Sequence, residues 1–203
     1  MSYVCILDYG SGNVKSVYNL FTALAGKVVI SNDPADIEAA SHIVLPGVGA
    51  FAAAMRRIRE RLPLDVLERV VLQEGKPFLG ICVGMQVLAE RGLEFGETPG
   101  LGWIAGTVRQ LRTGGLPLPH IGWNDIAAKD DPLLDGLGQA PDFYYVHSYM
   151  FEAADPGQVL ATTEYGEQIT GVIRRGNVYG VQFHPEKSQR AGMRLAKNFL
   201  AIQ

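Results

Sequence analysis

The sequence holds two cysteines, and one of them stands in a setting suited to nucleophilic attack. Cys82 is the centre of Gly80-Ile81-Cys82-Val83-Gly84, between the apolar run Pro77-Phe78-Leu79 and a helix-like segment that begins at Gly84. A G-x-C-x-G pattern at a strand-to-helix junction is the layout of a nucleophile elbow: small residues two places to either side let a sharp turn pack, and the central side chain is pushed outward. A sulfur there lies at a helix N-terminus, where the dipole and free N–H groups favour thiolate, and the N–H of Val83 is placed to bind an oxyanion. The plainer alternative is a small buried hydrophobe, which suits Cys5 and stays open for Cys82 on this segment alone.

A base and its orienter are offered near the C-terminus. The run Val178-Tyr179-Gly180-Val181-Gln182-Phe183 reads as a strand that ends in His184-Pro185-Glu186. Proline pushes His184 into an extended conformation, and residues i and i+2 of extended chain point to one side about 6.5–7 Å apart, so Glu186 can reach the imidazole. Such a carboxylate fixes the tautomer and stabilises imidazolium, which makes Cys82, His184 and Glu186 a candidate nucleophile–base–orienter set. One histidine beside one glutamate is, by itself, more often a surface or capping contact. The combination matters because Cys82 and His184 lie about a hundred residues apart. Their meeting requires two strand ends at the carboxyl edge of an open sheet, which is where such sheets place ligands.

A third segment, Pro46-Gly47-Val48-Gly49, follows the apolar run Ile43-Val44-Leu45. Its backbone N–H groups can face an anion or a carbonyl oxygen, so Val48 and Gly49 are candidates for the second half of an oxyanion hole opposite Val83. A tight strand-to-helix connection explains the same residues without chemistry. The loop Asp8-Tyr9-Gly10-Ser11-Gly12-Asn13 carries a G-x-G short of the full dinucleotide pattern, and no cofactor or metal is expected.

The elements that must position these groups are legible as alternating patterns. Strands are expected at 3–8, 27–31, 42–46 and 77–82, and helices at 13–25, 51–61, 64–74 and 84–91, which is the order of a parallel α/β sheet. Several of these strands are apolar without alternation, as expected when helices cover both faces. From 102 to 182 the pattern turns β-like, with segments at 103–109, 120–127, 143–152, 159–163, 171–175 and 178–183 that suit antiparallel ribbons or a mixed edge. A last helix at 189–201 has Ser188 as a plausible N-cap. The expected fold is α/β: an open mixed, largely parallel central sheet of flavodoxin-like type with helices on both faces, plus antiparallel strands in the C-terminal half.

With 203 residues, 47% of them hydrophobic and 19% charged, one globular domain spanning 1–203 is expected. A net charge of −3 gives no general attraction to nucleic acid or anionic lipid, and no apolar run is long enough to cross a bilayer. The first residues do not read as a signal peptide, so a cytoplasmic location is expected, with Cys5 and Cys82 as separate thiols. The basic stretch Arg56-Arg57-Ile58-Arg59-Glu60-Arg61 fits a solvated helix face or part of a partner surface.

Assembled, these segments resemble the class I, triad-type glutamine amidotransferases over essentially the whole chain. The shared motifs are Gly80-Ile81-Cys82-Val83-Gly84-Met85-Gln86 and His184-Pro185-Glu186-Lys187-Ser188. The segments 8–13, 46–51, His120-Ile121-Gly122-Trp123-Asn124 and Tyr145-Val146-His147-Ser148-Tyr149 are similar to the branch of that family serving histidine biosynthesis. The resemblance implies hydrolysis of L-glutamine to glutamate and ammonia through a thioester on Cys82, with Gln86, Glu94, His147, Ser148 and Tyr149 holding the substrate. It also implies a cyclase subunit, a β/α barrel that forms a heterodimer with this chain and receives the ammonia. Asn13, Trp123, Asn124 and Lys187 would lie at that contact, although Trp123 could equally be core. Val48 stands where many relatives have glycine, which implies an oxyanion loop less free to reach φ > 0 and low activity without the partner. Two other readings are a cysteine peptidase on the same elbow and a non-catalytic subunit, which should have lost one of the three triad residues.

Overall fold

The computed structural model describes residues 2–203. The first half runs β1 (Tyr3–Ile6), α1 (Val14–Thr22), β2 (Lys27–Ile30), α2 (Pro34–Ala39), β3 (His42–Gly47), α3 (Phe51–Arg61), α4 (Leu64–Glu68), β4 (Phe78–Cys82) and α5 (Val83–Gln86). The second half adds β5 (Arg91–Gly92), β6 (Thr98–Pro99), β7 (Gly106–Gln110), β8 (His120–Asp125), β9 (Ala127–Ala128), β10 (Asp142–His147), β11 (Tyr149–Ala153), β12 (Val159–Glu164), β13 (Gln168–Arg175), β14 (Val178–Val181) and α6 (Gln189–Phe199).

Eight strands form the main sheet in the order β2-β1-β3-β4-β14-β13-β12-β9, flanked by helices. Pairing is parallel from β2 through β14 and antiparallel from β14 to β9, so the sheet is mixed as expected. Every residue of β3, β4 and β14 is buried, which is what a strand covered on both faces requires. Two smaller sheets, β10-β8 and β11-β7-β5-β6, stand beside it. No helix among the described residues is long and apolar enough to cross a membrane.

Several local expectations are corrected. The helix expected at 84–91 is a single turn, because the carbonyls of Val87, Leu88 and Ala89 accept from the N–H groups of Leu101, Ile104 and Gly102 instead of continuing a helical ladder. The stretch expected as one strand at 143–152 breaks at Ser148 into β10 and β11, which belong to different sheets. Likewise 120–127 divides between β8 and β9. Helix α2 was not expected at all. Its Asp33 side chain accepts from the Ala35 N–H and Pro34 opens the first turn, an N-terminal signature that was present in the sequence. Helix α4 passes into a wider turn at Arg69–Gln73. Ser188 makes no side-chain cap to α6.

The glycines around Cys82 have a steric cause. A Cβ on Gly84 would collide with the carbonyl oxygen of Leu45 on β3, and one on Gly80 would collide with the carbonyl of Gly84. The elbow thus closes against its own strand and its neighbour. Gly84→Ala is expected to cost on the order of 1–3 kcal/mol, because backbone rather than a flexible side chain would have to move. A fall in the denaturant midpoint checks this, and an unchanged midpoint contradicts it.

Candidate active site

Strand β4 delivers Cys82 and strand β14 delivers His184. The two strands pair in parallel with Val181 opposite Ile81, while β3 on the other side places Gly47 opposite Cys82. Cys82 has φ 54° and ψ −113°, a conformation L residues rarely hold, and that strain turns its side chain out at the strand end. Beyond β14 the chain is pinned: the Gln182 N–H donates to the Gly171 carbonyl (2.9 Å) and the His184 N–H to the Tyr144 carbonyl (2.9 Å).

His184 is extended, at φ −104° and ψ 94°, and its Nδ1 lies 2.9 Å from Glu186 Oε1, as the His-Pro-Glu spacing predicts. Both side chains are almost fully buried. Ser188 braces this turn rather than capping the helix, since its Oγ donates to the His184 carbonyl (2.6 Å) and accepts from the Tyr144 N–H (3.0 Å). Among the described residues the Nε2 of His184 has no hydrogen-bond partner. Cys82 and His184 line one cavity of about 240 Å³.

The same cavity is lined by Val48, Gly49 and Val83, by Gln86 and Glu94, and by His147, Ser148 and Tyr149. Helix geometry leaves the Val83 N–H without an intrahelical acceptor at the first position of α5. Gly49 takes φ 93° while Val48 does not enter the left-handed region, and the Val48 carbonyl accepts from Ser11 Oγ at 2.7 Å. Glu94 also serves the fold, because its Oε2 accepts from the Phe51 N–H (2.7 Å), so it caps α3 and is thereby held at the cavity rim. Gln86 donates from Nε2 to the Tyr149 carbonyl (3.0 Å) and to Gln182 Oε1 (3.0 Å).

Two site residues were missed from the sequence. Gln182 donates from Nε2 to Cys82 Sγ at 3.7 Å. Its position two before His184 put it on the same side of an extended strand, and that signal was available. His120 contacts His147 through Nδ1···Nε2 at 3.0 Å, a pairing across β8 and β10 that spacing alone does not disclose. A carbonyl can only accept, so the 2.9 Å contact from His147 Nδ1 to Tyr149 O puts the proton on Nδ1. His147 Nε2 then accepts from His120, and His120 Nε2 accepts from Asn124 Nδ2 (3.3 Å). Both rings are neutral in this arrangement.

Of the expected partner residues, Trp123 is about half exposed and is not core. It meets Tyr144 edge-on at 6.1 Å between ring centroids, and Lys187, which is exposed, lies over the same Tyr144 ring at 5.4 Å. Asn13 is partly buried at the start of α1. Asn124 also donates to the Glu164 carbonyl (3.1 Å), so its amide is turned into the fold.

The histidines at this site are driven in opposite directions. Burial alone would lower the pKa of His184, but the neighbouring Cys82 sulfur and the hydrogen-bonded Glu186 carboxylate outweigh it and push it up to about 10. His147 and His120 have no carboxylate, and burial pushes each down to about 4. The signs for stability follow. The His120 and His147 contributions are full above the unfolded value of 6.5 and are lost as pH falls toward 4; that of His184 is full below 6.5 and is lost as pH rises toward 10. Imidazole NMR should give midpoints near 4 for the pair and near 10 for His184, with Glu186→Gln lowering the latter. Three ordinary midpoints would contradict this electrostatic account.

Comparison with known proteins agrees with the geometry. The family described as glutamine amidotransferase class-I matches residues 5–202. A protein of Rhodospirillum rubrum named imidazole glycerol phosphate synthase subunit HisH is 45% identical, with 97% of each chain covered. A Salinibacter ruber protein of the same name is 48% identical, covering 97% of this chain and 93% of that one. Among solved structures, that of PurLQS from Thermotoga maritima superposes with TM-score 0.74 at 18% identity over 99% of both chains, which supports the fold alone. A sulfur, an imidazole and a carboxylate thus meet at one sheet edge in a chain whose relatives match end to end, and the chain belongs to the class I glutamine amidotransferase family.

Proposed function

We propose that this chain is the glutaminase subunit of an imidazole glycerol phosphate synthase, its 203 residues forming one cytoplasmic glutaminase domain. The observation that carries the reading is the single cavity lined by Cys82, His184, Gln86, Glu94 and the 147–149 segment, with Glu186 behind the imidazole. The Cys82 sulfur attacks the side-chain amide carbon of L-glutamine, and the tetrahedral oxyanion is met by the Val83 N–H and the Val48–Gly49 segment. Imidazolium His184 hands its Nε2 proton to the leaving nitrogen, the C–N bond breaks, and ammonia departs from a thioester. His184 then takes a proton from water as the water attacks; the C–S bond breaks to give glutamate and the sulfur recovers its negative charge. Glu186 holds the ring and stabilises its charged form throughout. Glu94 meets the substrate α-amino group, and Gln86, His147, Ser148 and Tyr149 hold the rest.

Ammonia needs a consumer, which we take to be the cyclase subunit, a β/α barrel in a heterodimer with this chain. It uses the ammonia to turn a phosphoribulosyl-formimino carboxamide nucleotide into imidazole glycerol phosphate. The docking face is centred on exposed Trp123 and Lys187, joined across Tyr144, and by the family resemblance it takes in Asn13 and Asn124. A peptidase with the same elbow would have no use for the Glu94 carboxylate and the Gln86 amide at the cavity.

Glutamate release is expected to be low for the free chain and to rise with the liganded cyclase, which reshapes the Val48–Gly49 loop. Cys82→Ala should lower release by at least about a thousandfold, while ammonium salts restore cyclase turnover. Equal rates with and without the cyclase would refute the coupling, and hydrolysis retained by Cys82→Ala would refute the assignment.

A further inference from the structure

Cys82 Sγ accepts a hydrogen bond from Gln182. Gln182 is fully buried, and its backbone is tied to β13 by the 2.9 Å bond from its N–H to the Gly171 carbonyl. Its side-chain amide bridges two groups, Gln86 and Cys82. The orientation of that amide is set by logic that starts at Tyr149. The Tyr149 carbonyl can only accept, so the atom of Gln86 facing it is the nitrogen. The same Gln86 nitrogen lies 3.0 Å from Gln182, which must therefore present its oxygen there. The nitrogen of Gln182 is left facing Cys82 Sγ, at 3.7 Å.

We propose that Gln182 is a thiolate-holding residue of the glutaminase reaction, its amide N–H donating to Cys82 Sγ on the nucleophile's strand side. The proposal rests on Cys82 being the nucleophile. A donor aimed at sulfur is worth most when the sulfur is ionised, since hydrogen bonds to a charged acceptor are about twice as strong as neutral ones. Gln182 therefore favours the thiolate over the thiol before attack. In the thioester the sulfur is neutral and the bond weakens; when water expels the thiolate, the bond is regained. One amide thus raises the thiolate fraction before attack and favours the sulfur as the leaving group when the thioester is hydrolysed. It acts alongside His184 rather than in its place, because an amide carries no transferable proton in this range. Gln86 is the link that keeps the donor from turning, which gives it a role in the resting enzyme in addition to any contact with substrate.

The test is the pH dependence of Cys82 alkylation by iodoacetamide, read by peptide mass, in the wild type, Gln182→Leu and Gln182→Glu. Cys5 does not interfere, because burial pushes its thiol up to about 12. With Gln182→Leu the labelling profile moves to higher pH, so that labelling near pH 6 slows about tenfold while the high-pH plateau stays within about twofold. Gln182→Glu moves it further once the carboxylate ionises. A glutamine that merely fills the core would alter thermal stability and leave the profile in place, and coincident profiles in folded variants overturn the proposal. Should the variants fail to fold, the wild type answers the question: the Gln182 side-chain amide protons must shift in NMR through the same pH range as Cys82 labelling, and constant shifts overturn the proposal. Hydrolysis retained by Cys82→Ala would instead sink the reading beneath it, whatever the profiles show.

Discussion

The in-register parallel pairing of β4 with β14 at the centre of the main sheet is the constraint on which the site depends. Parallel neighbours end at the same edge, so a residue one step beyond Ile81 and one three steps beyond Val181 emerge side by side although about a hundred residues separate them in the chain. Strand β3 closes the other flank and brings the Gly47–Gly49 loop over Cys82. A shift of one residue in either pairing would turn sulfur or imidazole to the opposite face of its strand. The antiparallel half of the sheet and the separate β10-β8 ribbon contribute differently, since Gly171 and Tyr144 supply the carbonyls that pin the chain between β14 and Pro185.

Electrostatics at the edge follows from where carboxylates are and are not. Glu186 is buried behind His184, so a charged imidazole is favoured there despite burial. His147 lines the cavity and is bonded to His120, both with only neutral partners among the described residues, and a charge on either would face no compensation. Their ordered tautomers make them rigid donors and acceptors that fix the Tyr149 carbonyl, on which the Gln86 amide in turn depends. One pocket therefore contains a histidine suited to moving protons and another, His147, held still by His120.

The parts of this arrangement that were legible in the sequence are those governed by local rules. G-x-C-x-G demands a tight elbow, His-Pro-Glu demands an extended spacing, and unbroken apolar runs mark covered strands; Cys82, His184, Glu186 and strands β1 to β4 followed from these. The rest depends on partners distant in sequence. The turn after Gln86 stays short because Leu101, Gly102 and Ile104 supply hydrogen bonds from elsewhere. The break at Ser148 reflects two sheets competing for one apolar run. Glu94 looked like a substrate contact and also caps α3 across 43 positions of chain, which no spacing rule encodes. Ser188 looked like a helix cap and instead braces the histidine turn, because its hydroxyl finds the His184 carbonyl and the Tyr144 N–H, two partners brought to it by the tertiary fold.

The central claim is that the Cys82 sulfur and the His184 imidazole share a cavity shaped for glutamine. The most direct measurement is reaction with a chloroketone analogue of glutamine, in which the sulfur displaces chloride, followed by mass mapping and a crystal structure of the product. The account predicts one adduct, on Cys82, lying against Glu94 and the 147–149 segment with His184 beside the sulfur and Cys5 unmodified. An adduct on any other residue, or a Cys82 adduct turned away from His184 and that cavity, would contradict it.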